Sequence, residues 1–301
     1  SNVTWQRRAP YAILIGAMKG GTHAVTASLW EHPQVARTGH WEMHVFNSPR
    51  VIRTEAGGID QWQTRQNYAR SFLKAIPNFP TSTTTQEDTT NASDNVTIAF
   101  ESSPRYLLNS DCIPDMIMCV TPWFKLLAIL RNPVERAESH YWFQDNFRQK
   151  SDKRMVNWDT WIQHDLKLLE ESGVLQAINK SKEEEHLAWK VYQRGRSNSQ
   201  MIVGRGLYVI QLEQYLLAMD RAEKTRSDFL VLQSEAFRHN RQGEYNRLLN
   251  FLSLPPHRLR NLTNVEKSTP MPAYIKKQLQ ELYQTYNKRL YRLLGWESVW
   301  D

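Results

Sequence analysis

Three stretches of this chain gather residue types that handle anions or protons. Gly16-Ala17-Met18-Lys19-Gly20-Gly21-Thr22 supplies adjacent glycines, an ammonium and a hydroxyl. Between a strand and a helix, such a loop turns backbone N–H groups and a helix N-terminus towards an anion. The ATP-binding pattern G-x-x-x-x-G-K-[ST] carries its Lys after the last Gly, whereas Lys19 stands two residues before Gly21 and Thr22 follows directly. The second stretch, Leu130-Arg131-Asn132-Pro133-Val134-Glu135-Arg136-Ala137-Glu138-Ser139-His140-Tyr141, places an arginine at a strand's end and a serine inside the next helix. A guanidinium gives bidentate, charge-assisted bonds to phosphate, and a hydroxyl fills a remaining acceptor.

The third stretch is His40-Trp41-Glu42-Met43-His44-Val45-Phe46. If it is extended, His40, Glu42 and His44 face one side. A carboxylate shielded beside Lys19 would then suit the removal of a hydroxyl proton. The rival chemistry is metal binding, because His-x-Glu-x-His is a near miss of the zinc pattern H-E-x-x-H. That pattern needs its Glu directly after the first His on a helix, and Pro33 and Pro49 bracket a stretch without helical periodicity. No metal is assigned.

The elements that must position these groups are legible as apolar runs. Tyr11 to Gly16 reads as a buried parallel strand closed by glycine, and Thr22 as the N-cap of a helix stopped at His32-Pro33. Val96 to Phe100 reads as a second strand, Lys125 to Leu130 as a third, and Phe229 to Leu232 as a fourth. Amphipathic helices follow from Trp158, Trp161, Ile162, Leu166 and Leu169, and from Ile275, Leu279, Leu282, Tyr286, Leu290 and Leu293. Alternating strands and helices predict an α/β fold whose ligands bind beyond the C-terminal strand ends, after Ile15, Phe100 and Leu130.

The 301 residues, 41% hydrophobic and 23% charged, fit a single domain over 1–301, with residues 76–96 a flexible polar loop. A formal charge of +7 favours anionic ligands. Lys and Arg are scattered, without zinc-finger spacing or an RNA-recognition signature, so no nucleic-acid partner is expected. No apolar run approaches the roughly 18–20 residues that span a bilayer, so no membrane contact is expected. The chain begins Ser1-Asn2-Val3-Thr4 without an initiator Met, consistent with a trimmed N-terminal anchor. Cys112 and Cys119 read as two buried thiols or a local bridge. Sequons starting at Asn2, Asn91, Asn95, Asn179 and Asn261 favour a secretory-route glycoprotein in the Golgi lumen; if they are fortuitous the location is cytoplasmic.

With the K-G-G-T loop and the L-R-x-P-x-x-R-x-x-S segment both present, nearly the whole chain resembles the sulfotransferases that use 3′-phosphoadenosine 5′-phosphosulfate (PAPS). The likeness is to the heparan-sulfate-type glycan branch and its microbial and algal relatives. It implies a P-loop-NTPase-like three-layer fold with a central parallel sheet flanked by helices. It also implies that Lys19, Gly20, Gly21, Thr22 and the His23 N–H hold the 5′-phosphosulfate, and that Arg131 and Ser139 hold the 3′-phosphate. Asn264 to Met271 is similar to a late cofactor loop in which Lys267 approaches the donor. The segment similar to E-x-H-F-F implies Glu42 as the base; in sulfuryl transfer Lys19 would then steady the leaving group and His44 orient either partner. Phe100 to Tyr106 is similar to E-K-S/T-P-x-Y, but Ser102 replaces a common Lys, Trp41 another Lys and Asn47 a common Asp. Those departures count against a heparan-type acceptor. Gly206 to Leu216, Phe229 to Glu235 and Leu249 to Pro255 are similar to scaffold segments.

The expected activity is transfer of a sulfuryl group from PAPS, without metal, to a hydroxyl on a glycan, with Trp41, Ser102 and Tyr208 on the acceptor side. A small alcohol or phenol, or a protein tyrosine, is the alternative acceptor. An ATP-dependent P-loop kinase and a non-catalytic anion- or glycan-binding module are the readings from other classes.

Overall fold

The computed structural model describes residues 10–38, 40–48, 51–54, 57–70, 98–149, 157–194, 201–260 and 270–300. Four strands, β1 (Pro10–Gly16), β2 (Ala99–Ser102), β3 (Lys125–Leu130) and β4 (Phe229–Gln233), form one parallel sheet in the order β2-β1-β3-β4. Parallel neighbours need crossovers, and helices supply them. In chain order these are α1 (Thr22–Leu29), α2 (Gln61–Arg70), α3 (Ile113–Val120), α4 (Pro133–Gln149), α5 (Trp158–Glu171), α6 (Val174–Ala177), α7 (Lys182–Arg194), α8 (Tyr208–Arg221), α9 (Ser234–His239), α10 (Arg241–Phe251) and α11 (Ala273–Leu294).

Alternation along each strand divides the core in two. Ile13, Ile15, Leu126, Ala128, Leu130 and Val231 point to the layer built from α2 to α5, α8 and α11. Ala12, Leu14, Leu127, Ile129, Leu230 and Leu232 meet Val25 and Leu29 of α1, Phe237 of α9 and Leu248 and Leu249 of α10. The sheet is therefore covered on both faces, which is why β1 and β3 read as unbroken apolar runs.

The third strand has the bounds its sequence predicts, and the first begins one residue early. The second strand differs: its described part is Ala99–Ser102, with Ile98 bridging to Val35, so the run extends beyond Glu101. Thr22 is not the N-cap of α1. Gly21 caps it with φ of 109°, which a threonine would adopt only under strain, and Thr22 is the first helical residue. The polar stretch 76–96, Lys267 and the sequons at Asn2, Asn91, Asn95 and Asn261 lie outside the described residues; Asn179 is exposed. Cys112 and Cys119 are free, and Cys112 is exposed rather than buried.

Arg289 of α11 ties the helical layer together by bonding Glu185 of α7, at 2.6 and 2.9 Å, and Glu213 of α8. Both carboxylates are buried, and Glu213 also meets Lys182 at 3.5 Å, so removing the guanidinium strands the Glu185 charge out of water. Arg289→Leu should lower stability by about 3–5 kcal/mol in urea unfolding.

Candidate active site

The parallel sheet brings the predicted groups to one edge. The loops leaving β2, β1 and β3 lie side by side there and carry Ser103, Lys19 and Arg131, while Ser234 opens α9 directly after β4. The central loop is bound to its neighbour: Ala17 N–H donates to Ile129 O at 2.9 Å, and Gly20 N–H folds back on Ala17 O at 2.8 Å. A Cβ at Gly20 would stand 2.5 Å from the same Ile129 oxygen, so this position accepts only glycine. Lys19 takes the left-handed conformation, with φ of 65°. Its ammonium lies 4.7 Å from the ring centre of Phe143 on α4. His23 has an exposed side chain and stacks on Trp41 at 3.8 Å, with Trp30 tilted against the other indole at 4.4 Å.

On the β3 side, Arg131 pairs with Glu135 through Nε at 3.2 Å and Nη2 at 3.0 Å. The Asn132 side chain accepts from the Val134 and Glu135 N–H groups, capping α4 with Pro133 in its first turn. The Asn132 N–H in turn donates to Glu235, whose other oxygen accepts from the Trp300 indole at 3.1 Å. Ser139 is half-buried on α4. Tyr208, expected on the acceptor side, is 1% exposed and donates its hydroxyl to the Arg131 carbonyl at 2.9 Å. It therefore holds the strand end from beneath.

The segment His40 to Phe46, expected on the acceptor side, is not extended. His44 has φ of 52°, which breaks the alternation that would have aligned His40 with Glu42 and His44. Glu42 and His44 nevertheless meet, with Nε2 to Oε2 at 2.8 Å. The Glu42 side chain is 47% exposed, not shielded. His40 is exposed. Among the described residues no three His, Cys, Asp or Glu side chains gather as a metal site.

What seats this pair is Glu101, which lies in the segment similar to E-K-S/T-P-x-Y and to which sequence reading gave no role. Glu101 is fully buried and accepts from the hydroxyls of Tyr68 at 2.7 Å, Ser103 at 2.7 Å and Tyr106 at 2.5 Å, and from the Val45 N–H. Ser103 Oγ also accepts the His44 N–H at 2.9 Å, and Tyr106 Oη accepts the Phe46 N–H at 2.8 Å. Three successive N–H groups of the acceptor segment are thus held by one carboxylate, directly or through a hydroxyl. Burial pushes the Glu101 carboxyl above its usual range, and the four donors pull it back only in part. The sign of such a position lay in the sequence: an acid closing an apolar strand, followed by Ser103 and Tyr106. Ser102 beside it is buried, paired with Leu14 of β1.

A glycine-rich loop between the first strand and first helix of a parallel sheet covered on both faces is the architecture of a doubly wound α/β protein. A sequence model of the sulfotransferase domain matches residues 10–285, and the chain belongs to that family. It is 30% identical over 135 residues to heparan sulfate glucosamine 3-O-sulfotransferase 5 of Mus musculus, covering 45% of this chain and 31% of that protein. It is 28% identical over 163 residues to the membrane-associated sulfotransferase kil1 of Dictyostelium discoideum, covering 54% and 29%. This chain thus spans about a third of the length of those relatives. The crystal structure of a sulfotransferase from Alicyclobacillus acidocaldarius superposes with a TM-score of 0.62 at 18% identity, over 96% of this chain and 97% of that one. Its likeness shows the P-loop-NTPase-like fold. No described helix is long and apolar enough to cross a membrane.

Glu101→Gln removes the charge while keeping the shape, and turns an amide N–H₂ towards donors. It should cost about 1–3 kcal/mol in urea unfolding. An unchanged midpoint would show that the acceptor segment does not depend on this carboxylate.

Proposed function

We propose that this protein transfers a sulfuryl group from PAPS to a hydroxyl, with Glu42 as general base and the acceptor a carbohydrate. The observation that carries the reading is the order of groups along one sheet edge: the Glu42–His44 pair seated on Ser103 after β2, the Lys19 loop after β1, and Arg131 after β3. A donor anionic at both ends fits that row, its 5′-phosphosulfate at the centre and its 3′-phosphate at Arg131.

The donor set suits the molecule. Gly21, Thr22 and the His23 backbone would offer N–H groups at the start of α1, Gly20 would let the donor approach the backbone closely, and Lys19 supplies one positive charge. Arg131 already makes a two-nitrogen bond to a carboxylate, and exchanging Glu135 for a phosphate keeps the same charge-assisted chemistry. Ser139, and Lys267 from the late loop, would complete the phosphate contacts. In transfer, Lys19 would neutralise charge growing on the bridging oxygen as the bisphosphate departs, while Glu42 takes the acceptor proton. His44 would orient Glu42 through the 2.8 Å contact. In-line placement and charge stabilisation suffice, so no metal enters the reading.

A carbohydrate acceptor is supported by the heparan sulfate enzymes among the relatives and by the exposed face of Trp41 beside the base. Ser102 and Trp41, standing where such enzymes commonly carry lysines, favour a less acidic glycan than heparan sulfate. The sequons and the membrane-associated Dictyostelium relative favour a secretory-pathway location.

Two variants separate the roles. Glu42→Gln should abolish transfer of labelled sulfuryl from PAPS to a glycan panel while leaving donor affinity intact. Arg131→Ala should raise the donor KM roughly tenfold or more, with a smaller effect on kcat. Unchanged turnover in Glu42→Gln removes that residue as the base.

A further inference from the structure

The carboxylate of Glu135 stands where two guanidinium groups converge. One of its oxygens, Oε2, accepts from Arg131 through Nε at 3.2 Å and Nη2 at 3.0 Å, and the same oxygen lies 3.5 Å from Nη2 of Arg238. Arg238 comes from a different element, the last turn of α9, directly after β4. Glu135 also lies one turn before Ser139 on α4. It therefore stands between the two residues expected to hold a 3′-phosphate, with Arg238 reaching the same point from the neighbouring strand's side.

What places Arg238 there is a second acid, Glu235, 3.5 Å from the same Nη2. Glu235 is held firmly: its Oε1 accepts the Asn132 N–H at 2.9 Å and its Oε2 the Trp300 indole N–H at 3.1 Å. Trp300 is itself buried and donates its backbone N–H to the Tyr291 hydroxyl at 3.0 Å. Glu135 is held differently. Its side chain is 46% exposed and that of Arg238 56%, and ion pairs open to water contribute little. The Glu135 carboxylate can thus turn out to solvent at small cost, while Glu235 keeps Arg238 beside Arg131. A phosphate monoester brings close to two charges and three acceptor oxygens against the single charge of a carboxylate. Three oxygens suffice to engage both guanidinium groups and the Ser139 hydroxyl together.

We propose that Arg238 is a second guanidinium of the 3′-phosphate site and that Glu135 is the built-in competitor of that phosphate, ceding Arg131 and Arg238 to the donor. The proposal rests on the donor reading. It adds a contact from the strand beyond β3 and a cost on binding, since each donor molecule must displace a carboxylate. That cost sharpens discrimination. A nucleotide lacking a 3′-phosphate offers nothing in exchange and leaves the Glu135 bridge between the two arginines closed.

Equilibrium dialysis of the whole protein against adenosine 3′,5′-bisphosphate and, separately, ADP, at constant ionic strength, tests it. Glu135→Gln should bind the bisphosphate roughly two- to fivefold more tightly. Arg238→Gln should bind it roughly fivefold or more weakly. ADP affinity should stay within about twofold of the unaltered protein in both variants, which also shows that each is folded. Unchanged bisphosphate affinity in either variant overturns the proposal. Weaker binding in Glu135→Gln does so too, because Glu135 would then position Arg131 instead of competing for it. Equal shifts for the two nucleotides mark a general charge effect and likewise overturn it. If the unaltered protein does not prefer the bisphosphate to ADP, the donor reading fails and the proposal falls with it. A preference that neither variant alters leaves the donor reading standing and overturns the proposal alone.

Discussion

The Ala17 N–H bond to the Ile129 carbonyl, at 2.9 Å, joins the first loop to the end of the neighbouring strand. Because β1 is paired on both sides, its loop cannot swing away from the sheet edge, and it must turn within the space that β3 leaves. That space excludes any side chain at position 20 and sets Gly21 and Lys19 in left-handed conformations. The chain then enters α1 with its first N–H groups directed at the edge where Arg131 arrives. The shape of this loop is a consequence of strand pairing more than of any one side chain.

The acceptor side obeys a second constraint, set by a buried charge. Glu101 stands in the sheet interior, where an unpaired carboxylate would be very costly, and its environment answers with four donors. Those donors come from three places along the chain, so satisfying the carboxylate draws α2, the loop after β2 and residues 44–46 together. Glu42 itself remains exposed while the backbone that follows it is fixed. The bonds that offset the burial of Glu101 are also those that fix the backbone of residues 44–46, next to Glu42.

Much of this was legible from local pattern. Leu126 to Leu130 is apolar throughout and reads as a strand covered on both faces, and Gly16, Gly20 and Gly21 marked the turn from strand to helix. The sequence was less informative wherever partners are distant in the chain. Glu101 meets Tyr68 across 33 residues, and Tyr208 meets the Arg131 carbonyl across 77, so one was passed over and the other was expected at the acceptor. The extended reading of His40 to His44 failed because the His44 N–H is drawn to Ser103, a bond that no periodicity encodes.

The central claim is that this sheet edge recognises a nucleotide by a phosphate at each end, through the Lys19 loop and Arg131. Calorimetric titration in the presence of a metal chelator tests it most directly, comparing adenosine 3′,5′-bisphosphate with ADP. The account predicts that the bisphosphate binds roughly tenfold or more tightly than ADP, because only it presents a 3′-phosphate to Arg131 and Ser139. Equal affinities, or ADP binding that is tighter and requires Mg²⁺, would contradict it.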